Sequence, residues 1–521
     1  HSLLQTRASM DRDSESKSPL GDQAEEVEEV VALDVWAAAK KWHRIVWYCF
    51  ALTSCIMMYG YDYVIVGTVS AMPSFQEDYG QKWGNGWILP SLWLGLWNFA
   101  SPGASMLGAI LGGFMQDWTG RRMCIAVGSF LSAIGVAILF VSNLPADITS
   151  RRVVFLVGKG FQGMAIGMVL TTTQTYMSEV LPTVLRGSII AFIPTFVLLG
   201  QLIGAGVIYG CTNIKDGYII CFGTQWLFSA IPMVVAYIIP ESPTYLIRKE
   251  KFGDALKAQE KLFSPGMDSQ AVIDDIRHNI DHEREQAKAT YLDCFRGTNR
   301  RRTLIIMFSN LLPQFFGLLI LSKASYFAQV VGMKAKLSLI VLVFGILAGF
   351  IANLVSIWVI SKYGRRLLIL LSLSVAGVLW ASMGVAGIWS GPIVIWYVAI
   401  IMIVIVIVSG LGVWPASYAV ASEASTLDTR AKSQGIGWLT AGFGGALFGF
   451  CIPYIFNSDE GNLGAKTGFV HAGFCLLGVV GTYYFIPEMK DRTPGEIDRM
   501  FELKLDARKF KSWSGSSEHE A

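Results

Sequence analysis

The stretch Gly120-Arg121-Arg122 separates two long apolar segments, and the same three residues return later as Gly364-Arg365-Arg366. A second polar signature, Ser178-Glu179, returns as Ser422-Glu423, and both copies are displaced by the same number of residues along the chain. Each copy lies where an apolar run ends. Membrane proteins built from two similar halves carry repeats of this kind, so the pattern predicts a duplicated bundle of membrane-crossing helices.

The composition favours lipid as the solvent for most of the chain. Of the 521 residues, 53% are hydrophobic and 16% are charged, whereas soluble domains usually carry about 25% charged residues. The stretches 338–360 and 393–422 contain no Asp, Glu, Lys or Arg, and each exceeds the ~20 residues that a helix needs to cross a bilayer. We therefore expect an all-α membrane protein with two pseudo-symmetric six-helix halves. Its twelve transmembrane helices are predicted at 45–72, 90–115, 123–143, 153–178, 187–210, 219–239, 304–330, 338–360, 367–388, 393–421, 433–455 and 467–486.

The placement of basic residues predicts the orientation in the membrane. Most of them fall on one side of a twelve-helix arrangement, and the positive-inside rule assigns that side to the cytoplasm. Both termini are then cytoplasmic, and we expect the plasma membrane as the location. Arg151 and Arg152 fall on the other side and are a local exception. The residues that set the orientation are Arg121, Arg122, Arg300, Arg301, Arg302, Lys362, Arg365, Arg366, Arg430 and Lys432.

Changes in composition divide the chain into five segments. Residues 43–240 and 303–487 are predicted to form the two six-helix halves, and the polar residues 241–302 a cytoplasmic linker between them. Residues 1–42 and 488–521 are expected to be cytoplasmic tails. Apolar residues recur at helical spacing in the linker, which predicts short amphipathic helices there.

The cysteines and the exposed regions give no sign of metal or enzyme chemistry. The eight cysteines show no metal-ligand spacing. Cys211 and Cys221 lie in or beside the predicted outward loop, where a disulfide and two free thiols are about equally compatible with the sequence. The exposed regions carry no Gly-rich phosphate loop and no nucleophile elbow. We therefore expect that the protein is not an enzyme and that it has no metal, no cofactor and no nucleic-acid partner.

Asp62 is the most informative single residue. It lies in Gly60-Tyr61-Asp62-Tyr63, with apolar residues on both sides, in the first predicted helix. A carboxylate at such a depth costs at least ~2.5 kcal/mol unless it pairs or titrates. The expected partner is Lys159, in the fourth predicted helix. The pair is predicted to load and release a proton, and the alternative is that it only joins two helices.

The repeated polar signatures are predicted to act as a gate. Their acidic and basic side chains can form ion pairs between helices at the cytoplasmic ends, and such pairs would hold the two halves together while the gate is closed. The alternative is that the arginines only set the orientation. The predicted gating residues are Asp117, Arg121, Arg122, Glu179, Arg186, Arg365, Arg366, Glu423 and Arg430.

Taken together, these motifs resemble the sugar porter family of the major facilitator superfamily, over roughly residues 45–505. The stretch Gly200-Gln201-Leu202-Ile203 is similar to fungal permeases for α-glucosides such as maltose. The resemblance implies a twelve-helix fold and alternating access. It also implies proton-coupled uptake, because Asp62 matches the proton-binding aspartate of the symporters. The motifs are Gly60-Tyr61-Asp62, Gly113 through Arg122, Glu179 through Gly187, Pro240 through Pro243, Gln314 through Gly317 and Pro487 through Asp498.

Departures from the family pattern concern the solute more than the fold. Several amide side chains that hold sugars in the family are missing here, since Pro194, Pro313 and Leu319 stand in their places, and Lys159 stands where symporters carry Arg. A site that lacks hydrogen-bond partners discriminates strongly against sugars, so the cavity is expected to be less polar than that of a hexose carrier. Its expected lining is Gln314, Phe316, Trp414 and Tyr418; for Phe316 and Trp414, a packing role is equally compatible with the sequence.

Three functions follow from these features. The first is proton-coupled uptake of a sugar or polyol-like small molecule by a monomer in a lipid bilayer. The second keeps the fold and moves a less polar metabolite, with export as one direction. The third is a transporter-like nutrient sensor, against which the short C-terminal tail argues.

Overall fold

The structure, a computed structural model, describes residues 40–84, 86–182, 193–263, 273–274, 276–277, 290–426, 429–490, 492 and 494–513. Within these residues the chain is almost entirely helical, and the long helices lie where the apolar segments predict them. Ten of the described helices are long and apolar enough to cross a membrane. The other two predicted spans are a helix of 29 residues at Ser91–Thr119 and a broken stretch between residues 304 and 330.

Six long helices form the first half. A short helix, α2 at Pro73–Tyr79, and an antiparallel pair of strands, β1 at Gln81–Trp83 and β2 at Gly86–Ile88, lie between its first two long helices. The long helices are α1 at His43–Val69, α3 at Ser91–Thr119, α4 at Arg121–Phe140, α5 at Ile148–Val180, α6 at Ile193–Cys211 and α7 at Gly217–Ile238.

The polar segment after α7 contains helices, as its periodicity predicts. They are α8 at Pro243–Arg248 and α9 at Phe252–Leu262. Their apolar sides, including Leu246 and Ala255, form a small core of their own with Ile273. Much of the rest of this segment lies outside the described residues.

The second half has the same number of spans but more breaks. Its helices are α10 at Gly297–Phe315, α11 at Leu318–Ser322, α12 at Ala324–Val330, α13 at Ala335–Lys362, α14 at Arg365–Ala386, α15 at Pro392–Leu411, α16 at Val413–Glu423, α17 at Arg430–Phe456 and α18 at Thr467–Phe485. An amphipathic helix, α19 at Pro494–Glu502, follows the last span.

The prediction of one continuous helix over 304–330 is wrong, because three helices share this stretch. Gly317 has φ of +87°, a left-handed conformation that a helix interior does not allow. The carbonyl of Phe316, released by the break, accepts a hydrogen bond of 2.9 Å from Trp380 Nε1. A second break follows at Lys323. The predicted span 393–421 is likewise divided, into α15 and α16, at Gly412.

The two halves meet along two pairs of long helices. Helix α3 packs against α17, and α6 packs against α13. We call these contacts, together with the broken α10–α12 stretch that crosses to α1, the seam. The end of the bundle at which Gly120-Arg121-Arg122 and Gly364-Arg365-Arg366 lie is the signature end.

Candidate functional site

Asp62 and Lys159 form a buried ion pair in the first half. Lys159 Nζ donates to Asp62 Oδ1, and Ser101 Oγ donates to Asp62 Oδ2 at 2.9 Å. The side chains of Lys159 and Asp62 are 0% and 2% exposed. The contact that the sequence predicts between α1 and α5 is therefore present, and a hydroxyl group from α3 completes it.

Small residues bring these three helices close together. A Cβ atom at Gly163 would lie 2.3 Å from the carbonyl oxygen of Ser101, and one at Gly167 would lie 2.1 Å from that of Ser105. Only glycine allows α3 and α5 to approach so closely at these two points. Lys159 lies one turn before Gly163 in α5. Because of the close approach, Ser101 on α3 reaches the same carboxylate as Lys159.

A third charged residue, Lys323, lies near this pair and was missed in the sequence. It stands at the break between α11 and α12 and donates to Asn98 Oδ1 on α3, so it connects the two halves. Its stem packs on α1, where a Cβ atom at Gly67 would lie 2.2 Å from Lys323 Cγ. A lone lysine inside an apolar run was the available signal, and the same reasoning that singled out Lys159 applies to it.

Two cavities flank the break in the α10–α12 stretch. The lysine cavity, with about 330 Å³ of empty space, lies between Gly67, Asn98, Lys323, Tyr326 and Phe456. The aromatic cavity, with about 560 Å³, lies between Gln201, Phe316, Ser322, Val341 and Trp414. The aromatic cavity is the larger of the two, and both volumes include space that is open to solvent.

The structure brings together two of the four residues that were predicted to contact the solute. Phe316 and Trp414 both line the aromatic cavity, and their ring centroids are 6.4 Å apart. Gln201 lies in the same wall. It belongs to the stretch that is similar to the α-glucoside permeases, but it was not predicted to contact the solute. Its position could not be read from periodicity, because α6 is apolar on all sides.

The other two predicted residues lie elsewhere. The Gln314 side chain points towards α17, and its Oε1 atom has no hydrogen-bond partner among the described residues. Tyr418 stacks on Trp438 with ring centroids 5.8 Å apart. Neither residue lines the two cavities.

At the signature end of the first half, Arg121 is the centre of a network. Its guanidinium binds Glu179 through two hydrogen bonds of 2.7 and 3.1 Å, and it lies 3.4 Å from the exposed Asp117. Glu241 accepts from the backbone N–H groups of Arg121 and Arg122 at 3.0 and 3.2 Å. Burial raises the pKa of the Glu241 carboxyl, and these N–H groups oppose the shift.

The second half repeats this network. Arg365 binds Glu423 at 2.8 Å, and Glu488 accepts from the backbone N–H groups of Arg365 and Arg366 at 3.0 and 3.1 Å. Arg366 also donates to the carbonyl of Tyr483 at 2.8 Å. The internal repeat of the sequence is thus a repeat of contacts.

These contacts differ from the expected gate in one respect. The Arg121–Glu179 and Arg365–Glu423 pairs each join helices of the same half, so they do not hold the halves together as predicted. The predicted gating residue Arg186 lies outside the described residues, and so does the side chain of Arg430.

Hydrogen bonds between the halves cluster at the end opposite the signature end. Asp459 accepts from Ser91 N at 2.7 Å and also from Ser91 Oγ. Asn457 Nδ2 donates to the carbonyl of Leu89 at 2.8 Å, and Gln329 Nε2 donates to that of Ala71 at 2.7 Å. We call this set of contacts the outer clasp.

Other chemistry is not built into the described residues. They contain no group of three or more His, Cys, Asp or Glu that could hold a metal ion. Cys211 and Cys221 are both buried free thiols. The disulfide that the sequence left open is therefore not formed in this structure.

Comparisons with known proteins agree with this architecture. The family model for "Sugar (and other) transporter" matches residues 46–501. MFS transporter fmqE of Aspergillus fumigatus is 30% identical over 88% of this chain and 86% of its own length. Maltose permease MAL61 of Saccharomyces cerevisiae is 27% identical over 93% of this chain and 79% of its own.

A solved structure supports the fold. The xylose transporter XylE from E. coli, in a partially occluded inward open conformation, superposes with a TM-score of 0.72 at 18% identity, over 87% of this chain and 100% of XylE. The family match and the two relatives identify a membrane transporter and not an enzyme. The chain therefore belongs to the sugar porter family of the major facilitator superfamily, as its motifs indicated.

Proposed function

We propose that this transporter imports a small solute by alternating access and couples the import to protons at Asp62. The observation that carries the proposal is the buried pair of Asp62 and Lys159 beside the seam, with Ser101 as a third partner. An ionised carboxylate keeps this set of contacts together. A protonated carboxyl loses the Coulombic attraction to Lys159, so proton binding alters how α1, α3 and α5 hold one another.

The driving force is sufficient for uptake against a gradient. One elementary charge that crosses 100 mV supplies ~2.3 kcal/mol, before any difference in pH is added. This energy corresponds to a concentration ratio of roughly fifty, since ~1.4 kcal/mol is a factor of ten. A single proton per cycle therefore suffices to concentrate a solute.

The breaks and the outer clasp support the proposal of alternating access. We propose that residues 43–240 and 303–487 move as two bodies, and that the outer clasp parts when that end opens. The left-handed Gly317 and the break at Lys323 divide α10–α12 into short pieces that can change direction. The networks around Arg121 and Arg365 stay within their halves and would keep each half rigid.

For the solute, we propose a sugar or polyol-like molecule first, because the family model and maltose permease MAL61 point to that class. The second candidate is a less polar metabolite. The wall of the aromatic cavity favours it, since most of this wall is apolar and only Gln201 and Ser322 offer an amide or a hydroxyl group to a sugar. We propose the plasma membrane as the location, a monomer as the active form, and a cytoplasmic position for both termini.

Transport assays on proteoliposomes with an imposed pH gradient test the coupling. Radiolabelled maltose, D-glucose, D-xylose and myo-inositol serve as the panel. In the variant Asp62→Asn we expect gradient-driven accumulation to fall to the passive level, while exchange of internal for external solute continues. The matched control is Glu260→Gln, which removes an exposed carboxylate of α9 and should leave accumulation unchanged.

Accumulation by Asp62→Asn to the level of the unchanged protein would show that the proton binds elsewhere. Loss of both accumulation and exchange would contradict a role limited to coupling. Reversal of the pH gradient separates import from export, because a proton-coupled importer concentrates solute inside only when the exterior is acidic.

A further inference from the structure

Lys323 is a basic residue inside the bundle, and it has no acidic partner among the described residues. Its ammonium donates to Asn98 Oδ1, and it forms no ion pair with any carboxylate in the described part of the chain. The charged groups that act on it there are Lys159 and Asp62. Because Asp62 is already bound by Lys159 and Ser101, two ammonium groups share one carboxylate.

The position of Lys323 is fixed by its surroundings. Its stem lies against the bare backbone of Gly67, where any side chain would collide with it. Its head crosses the seam to Asn98 and lies in the wall of the lysine cavity. The amine is therefore held in the wall of a cavity between the two halves.

An unbalanced ammonium inside a membrane protein is costly, by several kcal/mol for an ion that is taken out of water. An anion in the adjacent cavity would remove this cost. Carboxylates bind ammonium and amide N–H groups together, and Asn98 Nδ2 remains available as such a donor, since Asn98 Oδ1 takes the bond from Lys323.

The remaining wall of the lysine cavity is mostly apolar, as Leu94, Leu319 and Phe456 illustrate. A neutral polyhydroxylated molecule would leave most of its hydroxyl groups without partners there. A molecule with one acid group needs only one cation and one or two donors. The charge and the lining thus favour the same class of ligand.

We propose that the solute of this transporter carries a carboxylate, and that Lys323 with Asn98 binds it in the lysine cavity. The inference deepens the proposed function, because it rests on the movement of a small solute through the seam. It names an acid, such as a sugar acid or an aromatic acid, where the family resemblance points to a neutral sugar.

Matched pairs of acid and neutral molecules test this site on the purified full-length protein in lipid nanodiscs. The probes are D-glucuronate against D-glucose and benzoate against benzamide, and the readout is the thermal unfolding midpoint as a function of ligand concentration. We expect at least one acid to stabilise the protein more than its neutral partner. Lys323→Gln should weaken the apparent affinity for that acid about thirty-fold or more, as for the loss of one partner of a buried ion pair.

Three variants control the result. Lys323→Arg retains the charge and should retain the preference for the acid. Lys323→Met is a second neutral variant of similar length, in case Lys323→Gln folds poorly. Lys336→Gln removes an exposed lysine and should bind like the unchanged protein.

The proposal is wrong if neither acid stabilises the protein more than its neutral partner, or if both neutral variants keep the preference. Binding is measured without any gradient, so this outcome leaves proton coupling untouched. Conversely, a protein that prefers an acid but fails to accumulate it under a pH gradient would refute only the coupling at Asp62.

Discussion

At the scale of single residues, the Asp62 site depends on a glycine in α5 that has no Cβ atom. Gly163 and Gly160 belong to the same helix, α5, and differ in what surrounds them. A Cβ atom at Gly163 would lie 2.3 Å from the carbonyl oxygen of Ser101, whereas one at Gly160 would meet nothing within 4 Å. The close approach at Gly163 is therefore a requirement of the Asp62 site, and Gly160 provides its control.

We expect Gly163→Ala to push α3 away from α5 and to draw Ser101 away from Asp62. Overpacking of this kind costs typically 1–3 kcal/mol, so the unfolding midpoint should fall and gradient-driven uptake should decrease. Gly160→Ala should be neutral or slightly stabilising, because alanine favours the helix and has room there. Thermal unfolding and uptake, measured on both variants in parallel, check this expectation. Equal stability of the two variants would contradict the tight contact.

At the scale of elements, the broken α10–α12 stretch joins most features of the site. It places Phe316 in the aromatic cavity, Lys323 in the lysine cavity, and Gln329 in the outer clasp. A straight helix would direct these side chains to other faces, since helical residues advance by about 100° each. The break thus determines which of its residues line the two cavities.

Gly317→Ala tests the break. Alanine in a left-handed conformation costs roughly 1–2 kcal/mol, and its Cβ atom would lie 2.7 Å from Trp380 Cζ2. We expect a lower unfolding midpoint and an initial rate of transport reduced at least several-fold. Gly473→Ala in α18, where a Cβ atom meets nothing within 4 Å, is the control. A Gly317→Ala protein with normal transport would mean that the left-handed turn is not needed.

The sequence predicted the long helices well and their breaks poorly. Runs without charge determine where a helix can cross a bilayer, so the spans were visible in composition alone. The left-handed Gly317 lies inside such a run, and hydropathy carries no information on backbone direction. The Asp62–Lys159 contact was predictable because an isolated charge in an apolar helix is costly, so that single opposite charges in such helices pair with each other. The cavities were not, since their walls come from helices far apart in sequence, as with Gln201 and Trp414.

At the scale of the whole molecule, the contacts between the halves are unevenly distributed. The outer clasp joins α3 and the loop after α1 to α12 and the end of α17. The described ion pairs at the signature end remain within single halves. Among the described residues, the hydrogen bonds between the halves are therefore concentrated at one end, which is the arrangement expected of one state of the proposed alternating-access cycle.

A cross-link across the outer clasp tests whether the two halves must separate. Ser91 and Asp459 contact each other directly through their side chains, so cysteines at both positions can form a disulfide without a large shift. The exposed Cys451 is first changed to serine, since the other described cysteines are buried. We expect oxidation of the Ser91→Cys, Asp459→Cys protein to reduce transport at least tenfold, because that end can no longer open. Dithiothreitol should restore transport.

Each single cysteine variant should respond to neither reagent. Full transport by a protein whose cross-link is verified on a non-reducing gel would show that solute passes without parting of this end, and alternating access through the seam would have to be abandoned.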